Sequence, residues 1–340
     1  MTNCQKDTYA IEKQDRKKSV SLSVSVQKSA LALCAVFFMI LILKNSRAAI
    51  DYTSELLILC SRTVVPSLFP FMVLSDVLLN LNVGDICQRL TPKWLCSILG
   101  ISARELFIFI IGILCGFPVG AKAAGKMYSL GELDKNEVER VLTYSSIPSA
   151  AFVIGTVGIS MYKNQRIGII IYVSVLTSAL ISMQLWRAVK KDAQNSIKIP
   201  HPKHASTNAR ADLAGAISRS AKAMLNICAF VTFFGTVCKI LTASIFKSSF
   251  FEPIIPLVSG ALEMSSGVKQ SSHIPNLTLS ICASAMICAW SGFSVHLQII
   301  STLESELGSR SVSLKPYFLH KLLQCVIAGV ICYFISSYLL

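Results

Sequence analysis

The chain has 340 residues, 53% of them hydrophobic and only 15% charged, whereas a soluble domain carries roughly a quarter of its residues as charged types; water is excluded as its main solvent. The formal net charge of +14 is gathered in a few polar loops, which fits orientation in a membrane and not a phosphate-binding face, so no nucleic-acid partner is expected. The 12 cysteines are scattered, with no C-x-x-C and no nearby histidine pair. They read as small hydrophobes and not as bridges or metal ligands.

The predicted architecture is all-α, with about eight to ten membrane-embedded segments, because a backbone surrounded by lipid must satisfy its own hydrogen bonds. Residues 1–29 form a basic cytoplasmic tail carrying Lys6, Lys13, Arg16, Lys17, Lys18 and Lys28. Residues 30–53 hold a first span and loop. Ala30 to Leu43 is a short retained span, since Lys44-Asn45-Ser46-Arg47-Ala48 makes a poor cleavage site. Leu56 to Leu79 follows, with Pro66 and Pro70 in VVPSLFPFMVLSD; each proline removes a backbone donor, so this helix is expected to kink or break.

Leu106 to Cys115 is only about ten apolar residues, too short to span, and leads into CGFPVGAKAAG. Gly131 to Arg140 reads as an amphipathic surface helix. Ile147 to Ser160 and Ile167 to Trp186 read as two spans. Arg187 to Lys222 carries Arg187, Lys190, Lys191, Lys198, Lys203, Arg210, Arg219 and Lys222 against Asp192 and Asp212, which makes it a cytoplasmic linker under the positive-inside rule. Ala223 to Phe246, the short Pro253 to Gly267, Leu277 to Leu303 and Tyr317 to Leu340 complete the chain.

With the N-terminus, Asn80 to Arg104, Gly120 to Ser146, the linker and Glu304 to Lys321 on the inside, the opposite loops hold only Lys44, Arg47, Lys163, Arg166, Lys247 and Lys269. Both flanks of the piece after Leu106 are then inside, and both flanks of Pro253 to Gly267 outside. Each short piece must therefore enter and return, as a re-entrant hairpin. The expectation is two inverted repeats, 54–186 with a hairpin near 106–131 and 223–340 with a hairpin near 253–270, joined by the linker 187–222. This is the plan of secondary transporters whose broken helices meet near the bilayer midplane.

The candidate substrate-binding residues lie in these short pieces. Gly116, Pro118, Gly120 and Gly125 permit unwound backbone, which is tolerated at membrane depth only where it is buried or lines a cavity; a small-residue packing seam is the plainer alternative. Lys122 suits an anionic group near a half-helix N-terminus, or else anchors the chain at the membrane surface. Glu263, framed by glycines in SGALEMSSG, is the most informative acid, since intramembrane carboxylates usually face a cavity or carry ions. Ser265, Ser266 and Gly267 adjoin it. Ser145 and Ser146 in YSSIPSA pair by position with Ser291 and Gly292 in AWSGFSVH, offering hydrogen-bonding groups inside apolar helices. Asp76, Arg62, Lys239 and Asn226 read as interfacial or snorkelling groups. His296 and His320 lack spaced metal partners, and neither a G-x-S-x-G elbow nor a P-loop is present, so no enzyme activity, cofactor or metal is expected.

The strings SLFPFMVLSD, CGFPVGAKAAG, YSSIPSA, SGALEMSSG and AWSGFSVH resemble the YlbJ-type sporulation integral membrane proteins, within the wider group carrying nucleoside-recognition (Gate) domains. The resemblance runs from about Leu56 to the C-terminus. It implies a fold related to concentrative nucleoside transporters, expression during sporulation, and passage of dipicolinic acid across the mother-cell-derived outer forespore membrane. The site positions it implies are Gly116, Phe117, Pro118, Gly120 and Lys122 in the first hairpin and Gly260, Glu263, Ser265, Ser266 and Gly267 in the second. The expected partners are the bilayer and a small solute, with a homo-oligomer or other sporulation membrane proteins left open, as is a coupling H+ or Na+. A non-transporting scaffold or sensor and a transporter of nucleoside-like solutes stand as alternatives.

Overall fold

The computed structural model describes residues 28–81, 91–189, 212–245, 253–307 and 312–339, and these contain helices and no strands. Internal contacts divide the chain into Met1–Asp51 and Tyr52–Leu340. In the first unit, residues 28–44 form helix α1, whose side chains are mostly exposed.

Helix α2 (Ser46–Asn80) leads into the second unit. Its Pro66 and Pro70 do not break it. The strain is taken up by one π-helical turn, Cys60–Val64, just before Pro66. A proline ring crowds the carbonyl four residues earlier, and widening that turn is a standard relief. A short α3 (Lys93–Leu99) ends at the left-handed Gly100.

Two helix–turn–helix pairs lie at the short pieces singled out from the sequence. Helices α4 (Ala103–Cys115) and α5 (Phe117–Ser129) are separated by Gly116 alone. A Cβ built on Gly120 would lie 3.6 Å from the Gly112 Cα, so the chain doubles back on itself. Much later, α10 (Ile255–Leu262) and α11 (Met264–Ser271) are separated by Glu263, and a Cβ on Gly267 would lie 2.2 Å from the Gly260 Cα.

Between α5 and the centre of the chain, α6 (Lys135–Ser145) begins at a capping box of Asp134 and Glu137. The expected surface helix is thus displaced, and its second half is wholly buried. The physical reason is that Arg140 reaches the fully buried Glu105 with both Nε and Nη2, at 2.7 and 2.6 Å. Paired in this way, a charge can enter the interior. The chain then unwinds over 146–149 before the π-wound α7 (Ala151–Met161). Ile147 to Ser160 is therefore not one span but a turn and a short helix.

Helix α8 (Gln165–Val189) precedes α9 (Leu213–Ile245). Arg219 and Lys222, read as linker residues from the sequence, belong to α9; residues 190–211 of that linker lie outside the described residues. Helices α12 (Leu277–Trp290) and α13 (Phe293–Leu307) form what was expected to be one span, but two consecutive residues with positive φ, Ser291 and Gly292, interrupt it.

The last helix, α14 (Lys315–Leu339), shows how the molecule is solvated. Leu319, Leu322, Val326, Val330 and Phe334 are exposed, while Tyr317, His320, Lys321, Gln324, Cys332 and Ser336 are buried. The two sets recur at helical spacing on opposite faces, with the apolar face outward and the polar face inward, the reverse of a surface helix in water. Among the described residues, five helical stretches are long and apolar enough to cross a bilayer: Ser46–Asn80, Gln165–Ala188, Leu213–Ser244, Leu277–Leu307 taken across its interruption, and Lys315–Leu339. The chain is a multi-pass, all-helical membrane protein.

Candidate functional site

Four interruptions of helix meet in the second unit. At the first, Gly116 has φ +87° and ψ −174°, a conformation open essentially to glycine alone. Phe117 and Pro118 begin α5 directly after it, where the missing proline donor costs nothing. A Cβ on Gly116 would sit 3.2 Å from the backbone nitrogen of Ser149, in the second interruption. Gly112 and Gly120 both face the Ser145 carbonyl, at 2.3 and 3.1 Å from their would-be Cβ atoms. The glycines of the first hairpin therefore pack on the unwound end of α6.

The third interruption is made by an acid. Glu263 is extended (φ −141°, ψ 119°) and 1% exposed, and its carboxylate accepts from the backbone N–H of Ser265 at 2.9 Å and of Ser266 at 2.6 Å. It is the N-cap of α11, and its charge lies at the positive end of that helix. The fourth interruption packs on the third, since a Cβ on Gly292 would be 3.0 Å from the Gly260 carbonyl and 3.1 Å from the Met264 nitrogen.

Lys321 joins the second and fourth. Its side chain is completely buried, and its ammonium donates to the Ser146 carbonyl, to the Ala289 carbonyl at 3.1 Å and to Ser291 Oγ at 3.3 Å. It also lies 5.8 Å from the centre of the Phe117 ring. Three residues further along α14, Gln324 donates to the Thr143 carbonyl at 2.5 Å. The hydroxyls of Ser145 and Ser146 are fully buried and have no hydrogen-bond partner among the described residues.

A cavity of about 50 Å³ lies among these turns, lined by Gly116, Phe117, Pro118, Pro148, Ser149, Glu263, Ser265 and Gln298 together with apolar side chains. That is room for water, which needs about 10–15 Å³, but not for a solute of ordinary size. A second cavity of about 280 Å³ also reaches Ser265 and is lined by Glu55, Arg62, Lys239, Ser266 and Lys269. Ser265 is common to both. Three of these wall residues are basic and one acidic, so the larger cavity is electropositive.

Lys122 is not at the turns. It pairs with Asp76 at 2.5 Å, and Arg219 also reaches that carboxylate, with Nε and Nη2 both at 2.8 Å. Asn80 donates to Asp76 at 3.0 Å and accepts from Lys126. Asp76, 2% exposed, thus ties α2, α5 and α9 together and is not an interfacial group. Of the residues singled out from sequence, Gly116, Phe117, Pro118, Glu263 and Ser265 line the central cavity, while Gly120, Ser145, Ser146, Gly267, Ser291 and Gly292 build the packing and the unwound backbone behind it. Ser266 lines the larger cavity.

The chain is 25% identical over 342 residues to the sporulation integral membrane protein YlbJ of Bacillus subtilis (strain 168), an alignment covering 90% of this chain and 83% of that protein. The chain is a homologue of the YlbJ-type proteins. No family model matches the chain, and no solved structure matches it. The YlbJ-type resemblance seen in the motifs accordingly extends over nearly the whole sequence.

Sequence reasoning missed Lys321, which was counted as an inside-loop charge. The signal was present: Tyr317, His320, Lys321, Gln324 and Ser336 fall on one face of an otherwise apolar helix, and polar groups on one face of a span mark an interior.

Proposed function

We propose that this protein is a secondary transporter for a small polar or anionic solute, with dipicolinate as the candidate, carried across the outer forespore membrane during sporulation. One observation supports the proposal: three helix interruptions line a cavity, with a fourth packed behind them, and a larger electropositive cavity shares Ser265 with it. Unwound backbone at membrane depth is costly unless it is buried in protein or lines a cavity, and three of these interruptions line one. The solute enters between Arg62, Lys239 and Lys269, and the central cavity widens as the two hairpins part to receive it.

At the other end, the buried carboxylate of Asp76 holds α5 to α2 and α9, closing that exit. By the distribution of positive charge, this is the inner end. Alternating access then consists of loosening one end while the other tightens. The likeness to a sporulation integral membrane protein supports the sporulation setting, and the dianionic character of dipicolinate fits the basic wall.

The test is uptake of labelled dipicolinate by proteoliposomes containing the wild type or Glu263→Gln, with incorporated protein quantified. The expected result is accumulation by the wild type and a loss of at least tenfold in the variant. Equal uptake by protein-free vesicles and wild-type vesicles rejects transport of this solute and favours a scaffold or sensor.

A further inference from the structure

Lys321 is an unusual residue to find in the middle of a membrane protein, because its burial is complete and no carboxylate pairs with it among the described residues. Its three donors meet three oxygens, from Ser146, Ala289 and Ser291. Helix α6 ends at Ser145 and α12 ends at Trp290, so both carbonyls belong to helix C-termini. These are the negative ends of the helix dipoles, where carbonyls have lost their helical donors. Oxygens of this kind, converging from discontinuous helices, form the usual setting for a bound monovalent cation.

We infer that the ammonium of Lys321 is a tethered cation occupying a monovalent-cation site built from the ends of α6 and α12. It neutralises the two helix ends and holds the interruptions together, and the protein needs no free Na+ at this position. The consequence for coupling rests on the transport reading given above; the site itself does not.

The site is tested by thermal unfolding of detergent-purified protein. Lys321→Met fills the volume without the charge and is expected to lower Tm by several degrees; an unchanged Tm overturns the proposal. Lys321→Ala leaves room for the missing chain, and its Tm is expected to rise with added propylammonium and, to a lesser degree, with Na+, but not with 1-propanol. Recovery with 1-propanol equal to that with propylammonium, or none with either cation, reduces Lys321 to packing and overturns the proposal. The coupling consequence is read separately: wild-type uptake is expected to be unchanged when choline replaces Na+ at constant pH, and its loss removes that consequence. Absence of any wild-type uptake rejects the transport reading while the unfolding result still decides the site.

Discussion

The two helical hairpins share an outline and differ in chemistry. In α4–α5 the turn is a glycine in a conformation that side chains rarely adopt, and the glycines beside it face the end of another helix. In α10–α11 the turn is an extended glutamate that caps its own helix, and Gly260 and Gly267 pack on each other. Each returning helix carries a lysine at the sixth residue past its turn, Lys122 and Lys269. These reach the two ends of α2, where Lys122 meets the buried Asp76 and Lys269 the half-exposed Glu55. The carboxylate is buried and bonded to several partners in the first case, half-exposed and singly paired in the second. An ion pair holds firmly only where water cannot compete, so the difference predicts that the first hairpin is the fixed element and the second the mobile one.

The largest effect that tests this contrast comes from Asp76→Ala. It leaves Lys122 and Arg219 without their counter-charge; breaking a buried pair costs about 3–5 kcal/mol, and the partial exposure of both cations brings this toward about 3 kcal/mol. The expected outcome is a clear fall in Tm in detergent and faster proteolysis near α5. A wild-type Tm would show the first hairpin to be no better anchored than the second.

Gly116→Ala is the next in size. The φ of +87° and the Ser149 nitrogen 3.2 Å from the new Cβ together place the cost at about 2–3 kcal/mol. The measured quantity is again Tm, and a change of less than about 0.5 kcal/mol, the range of an ordinary surface substitution, would mean that the turn has other conformations available.

Much of this fold could be read from the sequence, because its elements follow strong rules. Apolar runs bounded by charge gave the long helices, and glycine with proline in CGFPVG, or glycine around an acid in SGALEMSSG, marked the turns of the hairpins. The serine clusters YSSIPSA and AWSGFSVH were read as hydrogen-bonding groups within intact spans; both prove to be interruptions, since Ser146–Ser149 unwinds and Ser291 and Gly292 take positive φ. That outcome depends on tertiary contacts: Lys321 satisfies the freed carbonyls from a helix that arrives much later in the chain. Asp76 was illegible for the same reason. Its partners, Lys122 and Arg219, are supplied by helices distant in sequence, and a lone acid near the end of an apolar run looks the same whether it meets solvent or two cations.

The smallest predicted effect is the most discriminating one for the contrast between the hairpins. Lys269→Ala removes the pair with Glu55, whose two side chains are 46% and 44% exposed, and exposed pairs are worth about 0–1 kcal/mol. Stability should therefore barely change, and Tm in detergent should stay within a degree or two of wild type. Uptake should change more than stability, because Lys269 also lines the electropositive cavity; raised ionic strength, which screens exposed charges, should weaken wild-type uptake and affect the variant less. If Lys269→Ala instead destabilises the protein as much as Asp76→Ala, both ends of α2 are equally anchored, and the assignment of one fixed and one mobile hairpin fails.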